Sequence, residues 1–223
     1  SYYLNYCGGA GVVNTIFKEK RFLFVFCLVA WLGVLLQLYL SMETSVTNDK
    51  PFTHGLVMYT GYFTVLTNIF VAVLLLLKLT GSHLSWSNDS LRGCATTAIL
   101  LVGIVYHIVL KDIWEPQGWQ WWADVILHYV TPILSLLYWL LFPGNKSFSI
   151  MEPVKWIVYP LIYIIYILIR GKVVGLYPYP FLDLTSISIE QFALNSLGIL
   201  VVYVVIGGAL VLIAKWVTKS KIS

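Results

Sequence analysis

Six stretches of mostly apolar side chains, each near 20 residues, are long enough to cross the roughly 30 Å hydrocarbon core of a bilayer as helices. They fall at approximately 21–41, 55–79, 93–110, 122–142, 154–170 and 191–216. A segment in lipid must satisfy its own backbone N–H and C=O groups, so each run predicts a transmembrane helix. Composition agrees: 59% of the 223 residues are hydrophobic and 11% are charged, with a mean hydropathy of +0.83, values that exclude an ordinary soluble domain. The expected fold is therefore all-α, a single polytopic membrane domain over residues 1–223 with six spans. Between the spans lie turn-forming segments, TNDKP (47–51), SNDS (87–90), EPQG (115–118), PGN (143–145) and PYP (178–180), none long enough to hold a soluble domain.

Basic residues set the expected orientation, because they concentrate in cytoplasmic loops. One side of the six spans takes Lys18, Lys20, Arg21, Lys78, Arg92, Lys146, Lys155, Lys215, Lys219 and Lys221; the other takes only Lys50, Lys111, Arg170 and Lys172. Both termini are accordingly expected in the cytoplasm. The net charge of +4 follows from these flanking residues and calls for no nucleic-acid partner. Nine Trp and 15 Tyr suit the interfacial belts of a membrane protein, and the segments 114–122 and 177–181 are expected at the outer interface, over a cavity opening. Cys7, Cys27 and Cys94 have no spacing suited to zinc, and on this topology no outer disulfide forms. The first apolar run is too long for a signal-peptide core and is expected to stay in the mature protein. A chain starting at Ser1 is expected to be trimmed or to carry a tag remnant.

Polar residues inside the spans are the candidates for chemistry. Thr64, Thr67 and Asn68, at i, i+3, i+4, share one face of the second span, with Thr64 expected about 14 Å below the start of that helix. Asp124, His128 and Thr131 form a second stripe on the fourth span, with Pro132 loosening the backbone beside them. Ionisable residues in a membrane mark function by default, and an acid four residues from an imidazole is placed to fix its tautomer and raise its basicity. His107 ends the third span at a similar depth. Tyr159, Tyr163, Tyr166 and Arg170 line one face of the fifth, which reads as a tyrosine wall with an anion anchor at its mouth. Gln37 and Asn195 are isolated polar positions, and Asp183 lies in the last outer loop. Each also has a plainer reading: Thr bonded back to its own helix, a polar pair joining two helices, an Arg snorkelling to the interface. Topology nonetheless gathers Thr64, His107, Asp124, His128, Arg170 and Asp183 in the outer half. A hydroxyl, an imidazole and a carboxylate there make a nucleophile, a base and its orienter, with Asn68 or Thr67 as oxyanion donor.

Three motifs carry a resemblance: YFTVLTN (62–68), ADVILHYVTP (123–132), and RG (170–171) followed by YPYPFLD (177–183). Over nearly its whole length the chain resembles the bacterial family of probable six-span membrane proteins. That family is distantly related to the androgen-induced gene family and the androgen-dependent regulator of tissue factor pathway inhibitor. The eukaryotic relatives are membrane hydrolases that cleave fatty acid esters of hydroxy fatty acids with an intramembrane Thr nucleophile and a His. The resemblance implies Thr64 as nucleophile, His128 as the histidine, a bacterial cytoplasmic membrane location, and a role for Arg170 in holding a substrate carboxylate. Thr67 stands where the eukaryotic proteins have an acid, and the His128-to-Pro132 spacing differs by one residue, so Thr67 stays a rival nucleophile.

The function expected is intramembrane hydrolysis of a lipid or fatty-acyl ester, without cofactor or bound metal, with catalytic Thr64, His128 and Asp124. Substrate is expected to meet Asn68, Thr67, His107, Arg170, Tyr163, Tyr166 and Asp183. One rival is a zinc hydrolase built on His107, Asp124 and His128. The other is a non-catalytic lipid binder or transporter, for which the sequence offers no repeat or broken-helix pair.

Overall fold

A computed structural model describes residues 4–82, 88–142 and 148–220, with side chains described from 16 to 217 within those ranges. The PGN segment, Ser87, Cys7, Lys146, Lys219 and Lys221 named above fall outside the described residues or side chains. The helices are α1 (Leu4–Thr47), α2 (Phe52–Gly61), α3 (Phe63–Leu79), α4 (Asp89–Val105), α5 (Trp119–Val125), α6 (Thr131–Leu141), α7 (Glu152–Trp156), α8 (Val158–Val174) and α9 (Ile189–Ser220). No strand occurs among the described residues. Two π-helical turns, Tyr106–Leu110 and Ile126–Val130, continue α4 and join α5 to α6.

Five helical stretches are long and apolar enough to cross a membrane: Ile16–Thr47, Asp89–Leu110, Trp119–Leu141, Glu152–Val174 and Ile189–Val217. The sixth expected span is not one straight helix. It is the pair α2 and α3, bent by 82° at Tyr62, and the count reaches six when that pair is taken as one span. The bend corrects two expectations. A broken helix is present, and Thr64 lies in the first turn of α3 rather than deep in a continuous helix.

α4 is the central helix, with 56% of its most apolar window buried, against 22–39% for the other straight spans. It is enclosed on all sides where its residues are small: Ala95, Thr96, Thr97 and Ala98, one full turn, are all fully buried, which lets neighbours approach closely where lipid supplies little drive for association. Facing outward are large apolar side chains, among them Phe24, Leu28, Leu32 and Leu35 on α1 and Ile162, Ile165 and Ile169 on α8. Such a surface fits contact with hydrocarbon rather than water. At the end opposite the candidate site, Glu19 joins α1 to α3 through Lys78 at 2.6 Å and to α6 through the Tyr138 hydroxyl at 2.5 Å.

The break at Tyr62 is held by the polar stripe of α8. Carbonyls in the last turn of a helix lack intrahelical N–H partners and carry the negative end of its dipole. Here the Tyr163 hydroxyl donates to Gly61 O at 2.9 Å, Tyr166 to Thr60 O at 3.1 Å, and Arg170 Nη2 to Val57 O at 2.8 Å. Gly61 is needed for the approach: a Cβ there would lie 2.8 Å from the Arg170 guanidinium carbon.

The second irregularity traces to Pro132. It has no N–H for His128 O, so the normal helical bond is lost and the chain widens into the π turn of residues 126–130. Gly103 lets α4 close against the freed carbonyl, since a Cβ at 103 would stand 3.0 Å from His128 O. Single π turns of this kind recur at functional sites.

Candidate functional site

At the end of the bundle bearing residues 48–51, 111–118 and 175–188, a cavity of about 640 Å³ opens between α1, α2, α3, the π turns and the last loop. Thr64, Asp124, His128 and Tyr179 all line it. A smaller apolar crevice of about 50 Å³, bounded by Phe63, Tyr163, Ile164 and Ile199, lies beyond Thr64 and Tyr179, and those two residues border both spaces.

Asp124 and His128 form the expected pair. Nδ1 of His128 is 3.1 Å from Asp124 Oδ1 and 3.0 Å from the Asp124 carbonyl, which commits Nδ1 and leaves Nε2 as the other ring nitrogen. Tyr106 stacks on the imidazole, with ring centroids 4.0 Å apart and planes 19° from parallel, and its hydroxyl is directed to the Asp124 carboxylate. Asp124 is buried, as an orienting acid should be. Thr64 is also buried. Its backbone N–H donates to the Tyr179 hydroxyl at 3.3 Å, and the Thr64 and Tyr179 hydroxyls are 3.4 Å apart. Tyr179 is fixed by stacking on Phe181 at 5.1 Å and by an edge contact with Tyr62 at 5.8 Å.

Asn68 ties the two halves of the site together. Its Nδ2 donates to Thr64 O at 2.9 Å and to Leu127 O, beside His128, at 3.2 Å. Asn68 is fully buried and does not line the cavity, so it positions the site and is not placed to touch substrate. Thr67, itself fully buried, likewise faces away: its hydroxyl meets the hydroxyl of half-buried Tyr159 at 3.1 Å.

The other expected contacts do not reach the larger cavity. Arg170 is buried and spends its guanidinium on Val57 O and on Leu176 O at 2.7 Å, so it stands behind the break and not at a mouth. Tyr163 and Tyr166 are committed to the carbonyls that end α2, and of the two only Tyr163 borders the small crevice. His107 is exposed and pairs with the Tyr129 hydroxyl at 3.2 Å. The Asp183 carboxylate caps its own turn, accepting from the Thr185 hydroxyl at 2.6 Å and the Thr185 N–H at 2.9 Å, and the Thr185 hydroxyl bond holds it below its ordinary pKa. Among the described residues no three His, Cys, Asp or Glu side chains converge as metal ligands, so His107 does not complete the zinc set considered above.

Several lining residues were not anticipated. Tyr179 had been read only as part of an aromatic loop, and its proximity to Thr64 depends on a contact across 115 positions. Ser41, Thr44 and Ser45 of α1 and Gln120 of α5 also face the cavity. Their spacing with Gln37 was the available signal: 37, 41, 44 and 45 fall on one helical face. The chain matches no protein-family model, no curated protein and no solved structure.

Proposed function

We propose that this protein is an intramembrane hydrolase of lipid esters, with Thr64 as nucleophile, His128 as base and Asp124 as its orienter. The observation that carries the reading is that a buried hydroxyl in the first turn of α3 and a carboxylate-oriented imidazole line one cavity of about 640 Å³. The motif resemblance described above points to the same two residues. The membrane in question is taken to be a bacterial cytoplasmic membrane, crossed six times with the bent pair as one span and both termini inside.

In this mechanism Thr64 Oγ1 bonds to the ester carbonyl carbon while its proton passes to Nε2 of His128. Asp124 steadies the imidazolium. The carbonyl oxygen becomes an oxyanion beside the positive end of α3, where first-turn N–H groups and the Tyr179 hydroxyl can donate to it. Collapse breaks the bond to the alcohol, which leaves with the proton from Nε2. Water then repeats the sequence on the acyl-threonine, releasing a carboxylic acid and restoring Thr64. The Thr64 N–H donates to the Tyr179 hydroxyl, so a bound substrate exchanges one oxygen for another there.

Thr64 is favoured over Thr67 because only Thr64 reaches the cavity. The test is turnover of a fluorogenic lipid ester by purified protein. Thr64→Ala and His128→Ala should each lose at least 10³-fold in kcat/KM, the scale on which removal of a triad member acts, whereas Thr67→Ala should stay within about fivefold of wild type. Equal turnover by all four proteins would contradict the reading. The 82° break supports a second reading, a non-catalytic lipid carrier, since broken helices line binding sites in transporters; saturable lipid binding with no ester cleavage would select it.

A further inference from the structure

One wall of the cavity is built almost wholly from neutral hydrogen-bonding groups. Gln37, Ser41, Thr44 and Ser45 come from one face of α1, Asn48 from the turn that follows it, and Gln120 from α5. The amides are held in fixed orientation: Gln120 Nε2 donates to Gln37 Oε1 at 2.7 Å, and Gln37 Nε2 donates to Ser41 Oγ at 3.2 Å. Ser45 is buried yet lines the cavity. Formal charge is scarce along the lining. Asp124 is committed to His128, and Lys50 is exposed at the rim with His54. Trp114, half exposed, adds a flat aromatic surface.

We infer that this wall is a head-group subsite for a neutral polyhydroxyl lipid, a glycerol or sugar ester, held with its ester bond toward Thr64. Amide and hydroxyl side chains both donate and accept hydrogen bonds, and a polyol does the same. A carboxylate only accepts. Brought down to Gln37 and Ser41 it could take hydrogen bonds from their donors but return none, and the described lining offers it one lysine, Lys50, because Arg170 is turned to backbone carbonyls elsewhere. Polar groups left without a partner on binding are a strong basis for discrimination between ligands. The subsite thus selects against the free-acid head group that the family resemblance implied. As part of the lipid-ester site it rests on the hydrolase reading, but its occupancy is measurable apart from turnover.

The experiment is calorimetric binding to wild-type protein in phosphatidylcholine nanodiscs, free of sugar detergents. Three non-hydrolysable probes of matched chain length are compared: 1-O-dodecylglycerol, dodecanoate and dodecyl methyl ether. The glyceryl ether should bind at least tenfold more tightly than either of the others, and the Ser41→Ala, Ser45→Ala double variant should lose most of that preference. Equal or tighter binding of dodecanoate, or of the methyl ether, overturns the proposal on wild-type protein alone. A folded double variant that keeps the preference overturns it as well. Glyceryl-ether binding without cleavage of the matched glyceryl ester would sink the hydrolase reading and leave the subsite standing; cleavage without head-group preference would do the reverse.

Discussion

Tyr179 differs from every other tyrosine near the break in what its hydroxyl touches. Tyr163 and Tyr166 meet carbonyls of α2, Tyr159 meets Thr67, and Tyr179 alone meets Thr64. Because the proposed mechanism forms its oxyanion beside this hydroxyl, Tyr179→Phe should lower kcat on the order of 10²-fold with little change in KM, the usual cost of one oxyanion donor; steady-state kinetics on the fluorogenic ester would show it. A change confined to KM would assign Tyr179 to substrate binding alone. The pairing of Asp124 with His128 was legible in the sequence because i, i+4 spacing puts two side chains on one helix face. The choice between Thr64 and Thr67 was not, because it depends on where the helix restarts after Tyr62. Nothing in the sequence marks a hydroxyl as facing a neighbour's tyrosine.

Among the elements, the broken pair α2 and α3 does most to shape the site. Its bend presents the first turn of α3 to the cavity, and its open carbonyls are met by α8. The sequence displayed the α8 stripe plainly, but its target is backbone, which no residue type labels, and so Arg170 read as an anion anchor. Among the described residues no carboxylate pairs with Arg170; the carbonyl end of α2 supplies the compensating charge. Arg170→Met should therefore destabilise the protein by about 2–4 kcal/mol, from two lost charge-assisted hydrogen bonds and a lost charge–dipole contact. Arg170→Lys should recover only part of this, since an ammonium lacks the fork that spans Val57 O and Leu176 O. Thermal unfolding in detergent measures both, and unchanged melting of the Met variant would return Arg170 to a role in ligand binding.

For the molecule as a whole, hydropathy located each of the five straight helices that are long and apolar enough to cross a membrane, apart from the longer reach of the helices past their apolar cores. α1 continues to Thr47 and α9 begins at Ile189, carrying polar faces that line the cavity or meet loops. Length and apolarity are local properties, so the sequence displays them; the bend and the cavity arise from contacts between distant segments. The proposed orientation has its own consequence. In a cysteine-free background, Asp49→Cys should react with a membrane-impermeant maleimide added to intact cells, and Lys155→Cys should react only after lysis. The central claim, a threonine nucleophile served by His128, is tested most directly by locating the covalent adduct left by a lipid-like fluorophosphonate. Peptide mass mapping should place that adduct on Thr64 in wild-type protein, with labelling slowed at least 100-fold in His128→Ala. An adduct on another residue, or undiminished ester cleavage by Thr64→Ala, would contradict the account.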